Sequence, residues 1–406
     1  MRTKLITLTA LAGGAWCAGT GGANAQVTTL QGLLDAGYNT YVSGDIGTAS
    51  SAYTSDSQGA IAAGGNVYLS NFGASTNETA SGVGVAVGGN LTMTNGSING
   101  TADVGGNLAA TSTGLSNVNV GGSMRYLNGQ INGSVNVDGS ASFTGAGVNG
   151  TVAVGGASSF VNAAQPKVTA ATAYAAPINY GAVTANAAAV STALSGMAST
   201  AGDTFGKNAQ GAYVFTSTVA GDNIFNVTAA QVAAMSGSQV LFTSTVAGAS
   251  DIINVVGSGT EALPGNLSFG YTGGMTDSNV LLNMGTAATT VQLSSNVSYD
   301  LSILAPDATV VTTGGNVTGS LIAANLTGNA QLNLSNSGGV TFSGALPAVS
   351  GSSQVSSLAA SAGPLSPAPL PLPGSSPLGL FVLAWFGRGR LRRRAASIGG
   401  RIMTGR

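Results

Sequence analysis

The sequence predicts a mainly β protein: a parallel β-helix, a solenoid of coils about 17 residues long, with a flanking Ala-rich α-helix. Three observations carry that prediction. A small-residue corner recurs between residues 64 and 156, five apolar columns stay in phase with it, and apolar residues alternate with small polar ones on either side of it.

From the N-terminus, residues 1–25 have the form of a secretory signal. Arg2 and Lys4 make a positive start, Leu5 to Ala12 is apolar, and Ala23-Asn24-Ala25 has the small-x-small form that signal peptidase accepts, with cleavage before Gln26. The body then runs over residues 26–345. Its corners are Gly64-Gly65, Gly88-Gly89, Gly105-Gly106, Gly121-Gly122, Asp138-Gly139 and Gly155-Gly156. The residue before each of the last five is Val87, Val104, Val120, Val137 and Val154.

Counting from these valines, position +4 holds Leu91, Leu108, Met124, Ala141 and Ser158, and +6 holds Met93, Ala110, Tyr126, Phe143 and Phe160. Position +11 holds Ile98, Leu115, Ile131 and Val148, and Val85, Ala102, Val118, Val135 and Val152 stand two before the valines. Period-two alternation makes strands with one face inward. A unit of this length cannot bury its own apolar side, so neighbouring coils must stack ~4.8 Å apart and close a shared core. The glycine corner calls for positive φ or close backbone approach. Asn99, Asn132 and Asn149, at +12, suit a left-handed turn. Tyr126 is expected in the core with its hydroxyl at the edge.

Beyond Gln165-Pro166 the composition turns Ala-rich over 167–200, and Val183, Val190, Leu194 and Met197 share one helical face. Short β-branched runs resume near residue 212, and two more coils show as Ser302-Ile303-Leu304-Ala305-Pro306 and Ser320-Leu321-Ile322-Ala323-Ala324. The chain thus builds coils, inserts a helix and builds coils again. Open solenoid edges invite pairing, so caps or self-association are expected, with 38–46 and 331–345 as candidate ends.

Residues 346–376 form a Ser/Ala/Pro-rich linker whose prolines exclude helix and sheet. The last segment, 377–406, places the apolar run Leu378 to Phe386, which includes Phe381 and Trp385, before Arg388, Arg390, Arg392, Arg393 and Arg394. Proline motif, apolar run and arginine cluster resemble a PEP-CTERM-type sorting signal in degenerate form, with Pro-Leu-Pro in place of Pro-Glu-Pro. The resemblance implies processing by an exosortase-type enzyme at the envelope of a Gram-negative bacterium.

Composition narrows the chemistry. The chain has no histidine and one cysteine, Cys17, so His-based triads, His or Cys zinc sites, haem ligation and disulfides lack their residues, and no cofactor is expected. Between the termini only Arg125, Lys167 and Lys207 stand against all thirteen Asp and Glu, which argues against nucleic acid as a partner. Asp103 and Asp138, expected to point outward ~10 Å apart, read as solvated residues rather than a catalytic pair, so the protein is expected not to be an enzyme. An ice-binding face would need regular Thr-x-Thr pairs. The positions flanking +6 read Thr92/Thr94, Ala109/Thr111, Arg125/Leu127, Ser142/Thr144 and Ser159/Val161. What remains is a neutral Ser/Thr/Asn/Gly face suited to carbohydrate, matrix polymer or another copy of itself; the alternative is a structural spacer without a ligand.

Several stretches resemble the choice-of-anchor A family of secreted bacterial proteins. They are Tyr38-Asn39-Thr40-Tyr41-Val42-Ser43-Gly44-Asp45, Gly59 to Asn66, Asn223-Ile224-Phe225-Asn226-Val227, Val280-Leu281-Leu282-Asn283, Ser302 to Ala308 and Gly319 to Leu326. The resemblance implies an ice-binding-like adhesive domain, a β-helix with an accompanying helix, displayed at the cell surface and without catalytic residues to transfer.

Overall fold

A computed structural model describes residues 26–77, 82–163, 165–336 and 342–349. Ala23 and Ala25 of the signal, the linker beyond residue 349, and Leu378, Phe381, Trp385, Phe386, Arg392, Arg393 and Arg394 of the C-terminal segment lie outside the described residues. Gln26 is exposed.

The valine column forms one file. Val118, Val135 and Val152 pair in parallel register, as do Val120, Val137 and Val154. Val87, Val104, Val120 and Val137 are fully buried, and Val154 is 7% exposed near the end of the stack. The corner glycines are required by proximity rather than by φ. A Cβ on Gly105 would lie 2.7 Å from the Gly88 carbonyl oxygen, and one on Gly122 would lie 2.6 Å from that of Gly106. The left-handed turn falls at +8, on Asn71, Asn95, Ser112, Asn128, Gly145 and Asn162, with φ between 48° and 59°. Asn99, Asn132 and Asn149 are therefore not the left-handed residues. Asn99 instead spends its amide on the preceding coil, donating to the Ser75 carbonyl at 3.2 Å.

The order of coils in space differs from their order in sequence. Strand Tyr38–Val42 pairs on one side with Ala60–Ala63 and on the other with Leu321–Thr327, matching Tyr41 to Ile322 and Val42 to Ala323. This strand therefore lies in the middle of the rod. Residues 38–169 build a first arm away from this seam. The chain then returns along the flank, and residues 213–333 build a second arm from the opposite end back to the seam. The 38–46 segment is thus interior and not an end. Residues 331–333 also lie at the seam, pairing with Asn316–Thr318 while Leu332 bridges Ser57. The real ends are Ser158–Val161 with Val168–Thr169 on the first arm, and on the second an antiparallel hairpin, Thr204–Lys207 against Tyr213–Ser217, that covers a sheet edge.

The return path explains the Ala-rich segment. Residues 170–177 lack regular secondary structure, and Asn179 caps a helix, Tyr180–Ser195, through its side chain. Sixteen residues span ~24 Å, about five coil spacings. Its face of Val183, Ala187, Val190 and Leu194 packs on an outward apolar row, Ile322, Leu304, Leu281, Ile252 and Ile224, together with Leu30, Leu33 and Leu34 of a short helix, Leu30–Asp35. Met197 falls beyond the helix end and is exposed. Buried asparagines tie the helix down: Asn283 Nδ2 donates to the Ser191 carbonyl (3.1 Å), and Asn254 Nδ2 to that of Leu194 (2.7 Å).

Candidate functional site

The arrangement leaves one broad sheet of the first arm bare. Strands Val67–Ala74, Leu91–Val104, Leu108–Val120, Met124–Leu127, Ala141–Thr144 and Ser158–Val161 stack in register. Their inward side chains are the core. Tyr126 is fully buried there, and its hydroxyl donates to the Thr113 carbonyl at 2.5 Å.

Outward, two parallel files result. One is Tyr68, Thr92, Ala109, Arg125, Ser142 and Ser159; the other is Ser70, Thr94, Thr111, Leu127, Thr144 and Val161. All are exposed or half-exposed, whereas the outward Tyr41, Ala62 and Ala86 of the helix-covered sheet are buried. Successive positions of a file lie ~4.8 Å apart along the rod, and eight of the twelve carry hydroxyls.

One edge of this face is held by a hydrogen-bond ladder that the sequence reading missed. Asn66 Oδ1 accepts from the Asn90 N–H (3.1 Å), Asn90 Oδ1 from that of Asn107 (2.8 Å), and Asn107 Oδ1 from that of Ser123 (2.8 Å). Ser123 and Ser140 continue it through their hydroxyl oxygens to Ala157, whose methyl ends it. In the other direction the ladder crosses the seam, since the Asn66 N–H donates to Asp45 and the Asp45 N–H to Asn325. The signal was present: the residue after each of the first five corners, Asn66, Asn90, Asn107, Ser123 and Ser140, is polar with a short acceptor side chain. Where the ladder changes from Asn to Ser, a shallow open groove of about 270 Å³ crosses three coils, lined by Ser123, Met124, Ser140, Ala141, Ser142, Ala157, Ser158 and Ser159.

The acidic residues are occupied elsewhere. Asp103 and Asp138 are not solvated, because the returning segment 170–177 covers that row. Asp103 is buried and accepts from Asn119 Nδ2 at 2.8 Å. Burial pushes its carboxyl up, and the Asn119 bond partly offsets this. Asp138 accepts the Tyr174 N–H at 2.8 Å, and the Asn136 amide group exchanges two bonds with the Thr172 backbone. The Tyr174 and Tyr180 rings sit over Gly121 and Gly88, where a Cβ would come within 3.1 Å of them. Asp138 and Asn136 therefore tether the returning segment, while Asp103 bonds within the stack.

Among the described residues no three His, Cys, Asp or Glu side chains gather where they could hold a metal ion, and no helix is long and apolar enough to cross a membrane. A gap of about 40 Å³ in the second arm is enclosed by Phe215, Phe242, Leu263, Phe269, Leu282 and Tyr299, among other apolar residues, and is part of the core.

Fold and face together define a parallel β-helix with one flank covered by a helix and one flat, hydroxyl-bearing sheet left free. The chain belongs to the family described as "Putative Ice-binding-like adhesive domain", whose model matches residues 34–124 and 84–334. A solved structure, the crystal structure of ice binding protein from an Antarctic bacterium Flavobacteriaceae, is 12% identical over 76% of this chain and 98% of that one, with a TM-score of 0.23, too low to carry any argument. No curated protein matches the chain.

Proposed function

We propose that the protein is an adhesive or matrix protein of the bacterial surface, binding carbohydrate, extracellular polymer or another copy of itself through the bare face of the first arm. The carrying observation is the contrast between the two outer faces: the row under the helix is apolar and buried, while the two free files are solvent-facing and carry hydroxyls at eight of their twelve positions. A polymer with repeating hydroxyls meets such a surface many times over, so weak single contacts add through multivalency. In this reading the role is binding rather than catalysis, and nucleic acid is not a partner.

The termini supply location in the same proposal. Signal peptidase removes residues 1–25, and an exosortase-type enzyme processes the degenerate PEP-CTERM-type tail at a Gram-negative envelope, as the resemblance of that tail to a PEP-CTERM signal implies. The family's description also raises ice as a ligand, but Ala109, Arg125 and Leu127 interrupt any Thr-x-Thr array on this face.

The test is a glycan array and exopolysaccharide pull-down with the purified protein and with a variant carrying Thr94→Val and Thr111→Val, which removes two hydroxyls of the face without adding charge. The proposal expects capture that the double variant loses. No capture by any polymer would support the spacer reading, and thermal hysteresis would support ice binding.

A further inference from the structure

The bare face carries a single charge, and it is positive on a body dominated by carboxylates. Only Arg125, Lys167 and Lys207 are cationic among the described residues. Lys207 lies 4.7 Å above the Tyr213 ring at the far end of the second arm. Arg125 stands in the outer file between Ala109 and Ser142, exposed, and no carboxylate among the described residues pairs with it. Among the described residues, which hold twelve of the thirteen acidic side chains, none pairs with this guanidinium.

Its neighbourhood is built for hydroxyls. In the same file, ~4.8 and ~9.6 Å further along the stack, come Ser142 and Ser159, with Ser159 Oγ donating to Ser142 Oγ at 3.1 Å. The open groove starts at Met124, the residue next to Arg125. A planar fork of donors matches a carboxylate in two parallel hydrogen bonds. The serine oxygens one and two coils away keep acceptor and donor capacity for ring hydroxyls.

We propose that Arg125 and the serine groove form a subsite for a uronic acid residue of an acidic polysaccharide, with the carboxylate on Arg125 and the sugar hydroxyls on Ser142 and Ser159. This rests on the reading of the bare face as the adhesive surface and names the class of polymer it selects.

The experiment compares binding of the full chain to polygalacturonate, alginate and neutral dextran, at low and raised salt. The expected result is a preference for the polyuronates that added salt weakens. Arg125→Gln should lower polyuronate affinity about tenfold or more, consistent with loss of a charge-assisted hydrogen bond, lower dextran affinity by far less, and leave the melting temperature unchanged. Arg125→Lys should recover part of the loss, since it keeps the charge without the fork. Ser142→Ala should weaken both polymer classes. Polyuronate binding untouched by Arg125→Gln, or equal binding of dextran and polyuronate, would overturn the subsite and leave the adhesive face standing. Failure of every polymer to bind would overturn both.

Discussion

In the first arm the coils repeat every 16 or 17 residues once past Val87, whereas register partners in the second arm lie 28 (Ile224 and Ile252), 29 (Ile252 and Leu281), 21 (Leu281 and Ser302) and 18 (Ile303 and Leu321) apart. The narrow coils fill their interior with a file of valines. The wide coils carry an additional four-stranded sheet and fill theirs with rings, Phe205 on Phe215 at 4.5 Å and Phe215 on Phe242 at 5.1 Å. Their outsides differ as well. The second arm's outward row is aliphatic and lies under the helix, while the corresponding row of the first arm becomes Asp103, Asn119 and Asn136 where the helix gives way to a strap. The lesson is that coil width and covering are linked: the arm with larger coils also carries the helix, and the lean arm keeps a sheet free.

The strongest way to break this comparison is through the ring file. Phe242→Ala removes a fully buried ring and should cost about 3–5 kcal/mol, seen as a lower urea midpoint. Leu304→Ala, in the row beneath the helix, should cost about 2–5 kcal/mol and expose the amides of 183–194 to faster hydrogen exchange. Little change in either would mean that the second arm is not held as described.

A third prediction concerns pH and separates the arms chemically. Asp251 is fully buried in the second arm. Ser217 Oγ donates to its Oδ1, while its Oδ2, like Asp203 Oδ2, is buried without a partner. Burial pushes its carboxyl up to about 7; the Ser217 bond opposes this and Asp203 adds to it. The folded protein therefore keeps a proton that the unfolded chain releases at ordinary carboxyl pH. Its stabilising contribution is complete below about pH 4 and is lost as the pH rises through about 7. The effect is at most about 4 kcal/mol. Urea unfolding across this range should show stability falling with pH, and Asp251→Asn should flatten the fall. A wild-type profile that rises over the same range would contradict the assignment. The smallest effect is in the ladder: Asn107→Ala removes the acceptor for the Ser123 N–H and should cost about 1 kcal/mol. Differential scanning calorimetry would register it as a small drop in Tm.

Much of the first arm was legible because constant coil length keeps Val87, Val104, Val120, Val137 and Val154 in phase. In the second arm the pair of coils at 302–306 and 320–324 was legible, and it pairs in register at an offset of 18, but the 28- and 29-residue coils before it carry extra strands and break the phase. The left-handed turn was misplaced because Asn occurs at both +8 and +12, and only backbone geometry distinguishes them. Asp103 and Asp138 were read as solvated because nothing local reveals a strap contributed by residues 36 positions away from Asp138. The seam was invisible for the same reason: Tyr41 meets Ile322 only because the chain returns along the flank. Of the candidate site, the composition of the two files was readable and their bareness was not, since that depends on where the helix lies.

The central claim is that the second arm docks on the start of the first, leaving the far end of the first arm, with its groove, free. Spin labels at Ser159→Cys and Val256→Cys, both exposed positions, in a chain with Cys17→Ser, test it by pulsed dipolar distance. About ten coil spacings separate them, so the account predicts a distance near 50 Å. A distance under about 25 Å, as a stack in simple sequence order would give, would contradict it.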